Sequence, residues 1–340
     1  MSAYIKAISY YLPKQILSNE EINHQFPEWP TEKIAQKVGI VERHIAGKEE
    51  TAGDMAQCAA EKLFAEHCID RKDIDFVMLC SQSPDYFLPS TACVLQDKLK
   101  LRTDIGAFDF NLGCSGYIYG LAMAKGMIVS GIAKNVLLLT SETYTKFIHP
   151  KDKGNKTIFG DAATATLVSN NGWGEIGEFV IGTDGSGAEH LIVKSGAAFH
   201  PSKYEDLHWD ESGNPISSDY LYMNGGEIFT FTIEKVPMLI TQTLSKNNLT
   251  LSDINLFVMH QANKYILEFL RKKMNIPAEK YYLNIEHVGN TVSSTIPIAL
   301  VDSTDSIAKA NNVLLAGFGV GLSWGATIIK CKKWKKQISR

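Results

Sequence analysis

Asp109-Phe110-Asn111-Leu112-Gly113-Cys114-Ser115-Gly116-Tyr117-Ile118-Tyr119-Gly120 is the stretch on which the reading of this chain turns. Residues from Asp104 to Phe110 read as a strand that runs into a turn of small residues. A helical apolar pattern follows at once through Tyr117, Ile118, Leu121, Met123, Ala124, Met127 and Ile128. Cys114 is therefore expected at or just before a helix N-terminus, where unpaired N–H groups and the helix dipole favour negative charge. A cysteine so placed can have its pKa lowered to roughly 3.5–7.5, which makes thiolate available at neutral pH. The flanking glycines let a substrate approach the backbone closely. Taken alone, a cysteine in an apolar turn is more often a small core residue, so the remaining residues have to choose between packing and chemistry.

The bulk properties narrow the choice. A chain of 340 residues can bury a sizeable core as one large domain or two ordinary ones. With 45% hydrophobic residues, 21% charged residues and a formal net charge of −3, it has the composition of a globular protein. That charge gives no reason to expect nucleic acid or a membrane surface. The first residues lack the apolar core of a signal peptide and no run approaches membrane-spanning length, so a cytoplasmic protein is expected. The 6 cysteines include no C-x-x-C pair, and the 9 histidines show no ligand spacing. Neither disulfides nor a metal are expected.

Strand and helix patterns alternate along the chain. A strand from Tyr4 to Tyr10 precedes a helix capped by Asn19, a helix from Thr31 to Val38 ended by Gly39, and a helix from Thr51 to Ala65. Continuous apolar runs at Asp75 to Cys80 and Asn135 to Thr140 read as strands covered on both faces. A second series starts near residue 172, interrupted by an unpatterned polar insertion from His200 to Asp219. It contains a long helix from about Gly225 to Lys246, strands at Asn255 to Met259 and near Tyr281 to Asn284, and a helix from Ile296 to Lys309. Strands at Asn312 to Leu315 and Leu322 to Ile329 close it before a basic tail, Lys330 to Arg340. This is the α/β signature, repeated in architecture, with halves 1–172 and 173–340.

Three loops of the second half follow apolar strands or carry turn residues that chemistry could use. His260-Gln261-Ala262-Asn263 comes directly after Leu256-Phe257-Val258-Met259, where α/β sheets place ligand-contacting groups, although a histidine there can equally cap the next helix. His287-Val288-Gly289-Asn290-Thr291 is, by itself, most simply a turn. Gly317-Phe318-Gly319-Val320-Gly321 lies between two strands, so it is a close backbone approach with free N–H groups rather than a dinucleotide fingerprint.

Together these motifs resemble the β-ketoacyl-acyl-carrier-protein synthase III family of condensing enzymes, within the thiolase superfamily. The resemblance runs nearly end to end. It includes Gly39-Ile40-x-Glu42-Arg43-His44-Ile45-Ala46, Leu88-Pro89-Ser90-x-Ala92-Cys93, Gly113-Cys114-Ser115-Gly116-Tyr117, Phe159-Gly160-Asp161, His260-Gln261-Ala262-Asn263, Gly289-Asn290-Thr291 and Gly319-x-Gly321-x-Ser323-Trp324-Gly325. It implies a thiolase-like fold of duplicated αβαβα halves forming a five-layered core. It also implies a nucleophile at Cys114, a triad completed by His260 and Asn290, and an oxyanion hole from the N–H groups of Cys114 and Val320. The implied reaction loads an acyl thioester onto Cys114 and condenses it, with decarboxylation, onto malonyl-acyl carrier protein. No cofactor beyond acyl-CoA or acyl-carrier-protein substrates is implied, and the implied assembly is a homodimer. The chemistry suits the residue types: a thiolate attacks a thioester, and two neutral donors such as His260 and Asn290 can hold an enolate.

The resemblance also places Lys33, Lys37, Leu88, Lys153 and Asn263 against substrate, and Arg271, Lys272 and Lys273 at the carrier-protein docking surface. Members commonly have an adenine-stacking tryptophan where this chain has Lys33, and many have arginines where it has Lys37 and Lys153; Trp29 lies about one turn away. Lost stacking with retained charge suggests a carrier-protein donor rather than CoA. Leu88 stands where phenylalanine often reaches into the partner's acyl pocket, which suggests room for something bulkier than acetyl. Lysines and arginine at a helix C-terminus also suit the dipole without any partner. Two other readings compete: acyl transfer to an alcohol or amine without decarboxylation, and a non-catalytic subunit of a heterodimer. Asn290 argues against the first, and the retained cysteine, histidine, asparagine and glycine loop argue against the second.

Overall fold

The computed structural model describes residues 2–211 and 213–332, apart from the side chains of residues 33 and 34. Most of the basic tail lies outside these described residues. Nine strands form one sheet: β1 (Tyr4–Tyr11), β2 (Phe76–Cys80), β3 (Gly106–Phe110), β4 (Asn135–Glu142), β5 (Ala162–Ser169), β6 (Gly174–Thr183), β7 (Leu256–Met259), β8 (Asn312–Gly319) and β9 (Ser323–Cys331). Their order across the sheet is β7-β8-β9-β6-β1-β5-β4-β2-β3. The helices that build the site are α1 (Ala52–His67), α2 (Thr91–Lys98), α3 (Gly116–Val129), α4 (Gly225–Lys246), α5 (Lys264–Lys273) and α6 (Thr295–Asp302).

The repeated architecture is visible in the pairing. In the first half β2 pairs parallel with both β3 and β4, β4 antiparallel with β5, and β5 antiparallel with β1. In the second half β7 pairs parallel with β8, β8 antiparallel with β9, and β9 antiparallel with β6. The counterpart of β3 is reduced to a single parallel bridge between Phe257 and Tyr281. The strand expected near Tyr281 to Asn284 is therefore not formed. Its backbone is diverted to side chains instead, with the Asn284 N–H donating to Gln261 Oε1 at 2.8 Å.

Five layers follow from strict alternation of side chains along the buried strands. Val77, Leu79, Leu137 and Leu139 face outward into a cluster with Met55, Leu63 and Leu95 of α1 and α2. Met78, Val136, Leu138, Val258, Val313 and Leu315 face inward against Tyr117, Leu121 and Ile296 of α3 and α6. Phe257, Met259, Leu314 and Ala316 face the other way, against Val236, Leu239 and Leu267 of α4 and α5. A one-residue slip in any of these strands would exchange its two faces, so burial on both sides fixes the register. Because α3 lies between two sheet halves it is apolar nearly all round, as a central helix must be. Losing one such leucine, for example by Leu138→Ala, is expected to cost about 2–5 kcal/mol.

Local chemistry corrects two helix expectations. Ser18, not Asn19, caps the helix Asn19–Gln25, in a capping box with Glu21. Asn19 instead serves Arg43, which is fully buried and donates to Asn19 Oδ1 and to the carbonyls of Leu17 and Thr157. The Glu42-Arg43-His44 motif is thus a structural bolt. The helix expected from Ile296 to Lys309 breaks after Asp302 and resumes only over Thr304–Ile307. At the break Ser303 and Thr304 turn their hydroxyls back onto the carbonyls of Leu300 and Val301, competing with helix continuation. Among its described residues the insertion carries the ladder His208–Trp209 with Pro215–Ile216, and Asp206 and Asp219 tie it down by accepting from Ser217, Ser218 and the N–H groups of Tyr204 and Glu205.

Candidate active site

Cys114 lies two residues before α3 begins at Gly116, as the pattern of small and apolar residues required. It is buried, and the tight turn from β8 to β9 comes over it from the other half of the chain. A Cβ on Gly319 would stand 2.7 Å from Cys114 Sγ, so only glycine allows that approach. The neighbouring Val320 packs in one cluster with Cys114. The expectation of a lowered thiol pKa is not met in the empty site. Burial pushes the Cys114 thiol up to about 12, more than the Val320 and Cys114 N–H groups pull it down, with the nearby Glu142 adding to the rise.

His260 follows β7, with its N–H donating to the Ala316 carbonyl at 2.8 Å. Its ring meets Phe318 edge-on, with ring centres 5.8 Å apart, and Nδ1 lies 2.8 Å from Thr295 Oγ1 at the start of α6. Burial drives its pKa down to about 3, with only the Val292 carbonyl working the other way. The resting site thus holds a neutral thiol and a neutral imidazole. The expectation that a histidine here might cap the next helix is also settled: Asn263 caps α5, its side chain accepting from the Ile266 N–H at 2.9 Å. That side chain is occupied by helix capping.

Asn290 is fixed at both ends. Its N–H donates to the Ile158 carbonyl and its carbonyl accepts from Gly160, while Oδ1 accepts from the Val292 N–H at 2.9 Å. With Oδ1 taken, the amide orientation is set and Nδ2 is the donor end left over. Val292 is the junction of the site. Its N–H orients Asn290, its carbonyl receives the Thr295 hydroxyl at 3.1 Å, and its side chain packs in one cluster with Cys114. It holds these positions at φ 55°, a region costly for a β-branched residue, on the order of 1–3 kcal/mol. Gly289, at φ 71°, supplies the turn that brings the segment in.

Beside Cys114 the aromatic ring of Tyr144 packs against Phe147 and Phe159. A cavity of about 1070 Å³ opens from Val320 past Gln82, Tyr144, Phe147, Leu191 and Leu221 toward Leu88. Tyr86, Phe87 and Leu88 are 59%, 84% and 83% exposed, so this rim is apolar and uncovered in the single chain.

The remaining expected residues divide. Lys37 is exposed, and Lys153 is ion-paired with Glu28 at 3.2 Å. The Lys33 side chain lies outside the described residues. Trp29 packs in a satellite cluster with Ile22, Val38 and Ile40. Arg271 is held by Glu268 and the Ile276 carbonyl, and Lys273 donates to the Ile233 carbonyl at 2.8 Å. The Lys272 side chain makes no hydrogen bond or ion pair among the described residues.

Sequence reading missed Thr295, Val292 and Glu142. Thr295 and Val292 sit in a run, Thr291-Val292-Ser293-Ser294-Thr295, whose small polar residues in an otherwise apolar stretch were the available signal. Among the described residues no helix is long and apolar enough to cross a membrane, and no cluster of metal-ligating side chains occurs.

Comparison with known proteins agrees with this geometry. The description "3-Oxoacyl-[acyl-carrier-protein (ACP)] synthase III" matches residues 108–185, and its C-terminal counterpart matches residues 244–331. A beta-ketoacyl-[acyl-carrier-protein] synthase III of Clostridium perfringens is 37% identical over 323 residues, covering 94% of this chain and 96% of that one. A crystal structure of a 3-oxoacyl-(acyl-carrier-protein) synthase III superposes with a TM-score of 0.94 at 47% identity, covering 97% of this chain and 100% of the other. The corresponding enzyme of Thermus thermophilus gives 0.86 at 32% identity, over 97% of this chain and 100% of its own.

Proposed function

The chain belongs to the 3-oxoacyl-[acyl-carrier-protein] synthase III family and is a condensing acyltransferase of that type, and we propose that it works through an acyl-enzyme on Cys114. Sγ attacks the carbonyl carbon of an acyl thioester, whose own C–S bond then breaks. The donor leaves as a thiol, taking up the proton that Cys114 gives up. The N–H groups of Cys114 and Val320 hold the tetrahedral oxyanion, and the start of α3 favours the charge that develops on sulfur. Gly319, one residue before Val320, stands against Cys114 Sγ, which supports placing the Val320 N–H beside the reacting atoms.

In the second step malonyl-acyl carrier protein loses carbon dioxide, and the electron pair of the broken C–C bond passes into an enolate. Two neutral donors face it, His260 and Asn290. The Thr295 hydroxyl has one proton and two acceptors, and His260 Nδ1 at 2.8 Å is nearer than the Val292 carbonyl at 3.1 Å. When Thr295 gives its proton to Nδ1 instead of to the Val292 carbonyl, the ring proton sits on Nε2, where it can donate to the enolate. Asn290 offers Nδ2. The carbanion attacks the acyl carbonyl on Cys114, the C–S bond breaks, and 3-oxoacyl-acyl carrier protein leaves. The sulfur then regains a proton from solvent. No cofactor is needed for either step.

The observation that carries this reading is that a single residue, Val292, orients Asn290, meets His260 through Thr295 and packs beside Cys114. Incubation with an acyl donor and malonyl-acyl carrier protein tests it. Carbon dioxide and 3-oxoacyl product should appear in equal amounts, both dependent on the acyl donor. Acyl transfer without carbon dioxide would support transfer to an alcohol or amine instead.

The same reading extends to the assembly and the partners. The halves 1–172 and 173–340 act as two thiolase-like units that meet at the site. A homodimer is supported by β3, which ends the sheet, and by the exposed Tyr86, Phe87 and Leu88 near it. The 1070 Å³ cavity behind Leu88 supports an acyl group larger than acetyl. Lys33, Lys37 and Lys153 keep positive charge without stacking, which supports an acyl-carrier-protein donor. Carrier docking falls chiefly to Lys272, since Arg271 and Lys273 are already engaged.

A further inference from the structure

One buried carboxyl group beside the site takes no part in the steps above. Glu142, the last residue of β4, is fully buried and receives three hydrogen bonds from two different parts of the chain. Oε2 accepts from the Gln82 N–H at 3.0 Å and from Ser83 Oγ at 3.3 Å, both in the turn after β2. Oε1 accepts from Ser293 Oγ at 2.9 Å, in the second half.

Each end of this link leads to the reacting groups. On the first-half side, the Gln82 side chain accepts from Tyr144 Oη at 3.3 Å and donates to Asn111 Oδ1 at 3.2 Å, within the Cys114 turn. On the other side, Ser293 directly follows Val292, whose peptide groups hold Asn290 and the Thr295 hydroxyl. Val292 has a positive φ of 55°, so the segment needs an external restraint to stay in place. Other bonds cross between the halves near the site, such as Ser115 Oγ to Ser323 Oγ and Thr140 Oγ1 to Ser294 Oγ, but each is a single bond between two hydroxyls. The Glu142 carboxyl group gathers three hydrogen bonds from both halves, and burying it unpaired would be costly.

We propose that Glu142 is a positioning residue for the condensation step: by tying Ser293 to the Gln82–Ser83 turn, it holds the Val292 segment so that His260 and Asn290 face the enolate across from Cys114. It touches no substrate atom. This inference rests on the acyl-enzyme reading, and it separates the two chemical steps. Cys114 and Val320 act in acylation, and neither is held by Ser293. His260 and Asn290 act in condensation, and both depend on Val292.

The test measures the two steps separately in Glu142→Gln, Glu142→Ala and Ser293→Ala, using the full chain. Acylation of Cys114 is read by intact mass, and condensation by carbon dioxide release from enzyme already acylated. Glu142→Ala and Ser293→Ala should lose tenfold or more in condensation while acylation stays within threefold. Glu142→Gln should recover most of that loss, since its amide oxygen can accept from the Gln82–Ser83 turn and its NH₂ can donate to Ser293 Oγ. If Glu142→Ala does not fold, Ser293→Ala carries the test, because it keeps the carboxyl group and removes only the link. Condensation at the wild-type rate in Ser293→Ala, or equal losses in both steps, would overturn the proposal. So would Glu142→Gln as impaired as Glu142→Ala. Failure of the wild type to acylate Cys114 would instead overturn the acyl-enzyme reading.

Discussion

A Cβ on Gly319 would stand 2.7 Å from Cys114 Sγ, so the second half of the chain lays its backbone against the proposed nucleophile that the first half carries. That contact alone does not make the resting sulfur a thiolate. Burial pushes Cys114 up to about 12 and takes His260 down to about 3, and between those values both groups are neutral. Alkylation of the unliganded enzyme by iodoacetamide should therefore rise about tenfold per pH unit from pH 7 to pH 10, following the thiolate fraction. A plateau reached below pH 8 would show a lowered thiol pKa and contradict this.

In the proposed mechanism, His260→Ala and Asn290→Ala each remove one donor to the enolate. Each should slow condensation about 10²–10³-fold, the usual effect of losing one such donor. Acylation of Cys114, which needs neither donor, should stay within tenfold. Asn290→Asp should be worse than Asn290→Ala, because a carboxylate repels the enolate. Equal losses of acylation and condensation in these variants would show that the two groups act before decarboxylation.

Thr295 acts through His260. Thr295→Val keeps the shape but removes the hydroxyl that lies 2.8 Å from Nδ1. The ring proton is then free to sit on Nδ1, which turns the Nε2 lone pair toward the enolate. Condensation should fall about tenfold to a hundredfold, and Thr295→Ser should restore it. A Thr295→Val enzyme condensing at the wild-type rate would show that the ring tautomer is set elsewhere.

Burial also gives Glu142 a stability signature. Desolvation raises its pKa to about 8, against donors from Gln82, Ser293 and Ser83 that lower it. An acid whose folded pKa is raised makes the folded state hold its proton more tightly than the unfolded state. Its contribution to stability is therefore largest below the unfolded carboxyl pKa and is lost as pH rises toward 8, by roughly 1.4 kcal/mol per pH unit. Glu142→Gln lacks this ionisation. The melting temperature of Glu142→Gln minus that of the wild type should grow between pH 5 and pH 8 and then level off. A difference independent of pH would contradict the assignment.

Lys272 is the proposed docking cation, its side chain without a hydrogen bond or ion pair among the described residues. Lys272→Glu should raise KM for malonyl-acyl carrier protein several-fold while leaving a small malonyl thioester unaffected. Lys273→Glu also breaks the bond to the Ile233 carbonyl, so it should lower the melting temperature as well. Equal effects of Lys272→Glu on both substrates would remove carrier docking from this helix.

Much of this was legible in the sequence because apolar alternation and chemistry-bearing motifs act locally. The runs Asp75 to Cys80 and Asn135 to Thr140 announced buried strands, and Cys114 fell where strand periodicity gave way to helix. What escaped depended on distant contacts. Tyr281 to Asn284 has a strand-like pattern, yet Gln261 claims the Asn284 N–H and leaves only one bridge. The helix Ile296 to Lys309 looked continuous because hydroxyl-to-carbonyl bonds at Ser303 and Thr304 have no apolar period. The lowered pKa of Cys114 was argued from the helix terminus alone, without the depth of burial. Glu142 was invisible because its value lies in Ser293, 151 positions away.

The central claim is that Cys114 carries the acyl group and that decarboxylation follows. The most direct measurement is intact-mass and peptide-mass analysis after incubation with an acyl donor, before and after addition of malonyl-acyl carrier protein. One acyl mass should appear on the peptide containing Cys114, be absent in Cys114→Ala, and disappear on addition of the malonyl substrate as carbon dioxide is released. An acyl group on any other residue, or one on Cys114 that malonyl-acyl carrier protein does not discharge, would contradict the account.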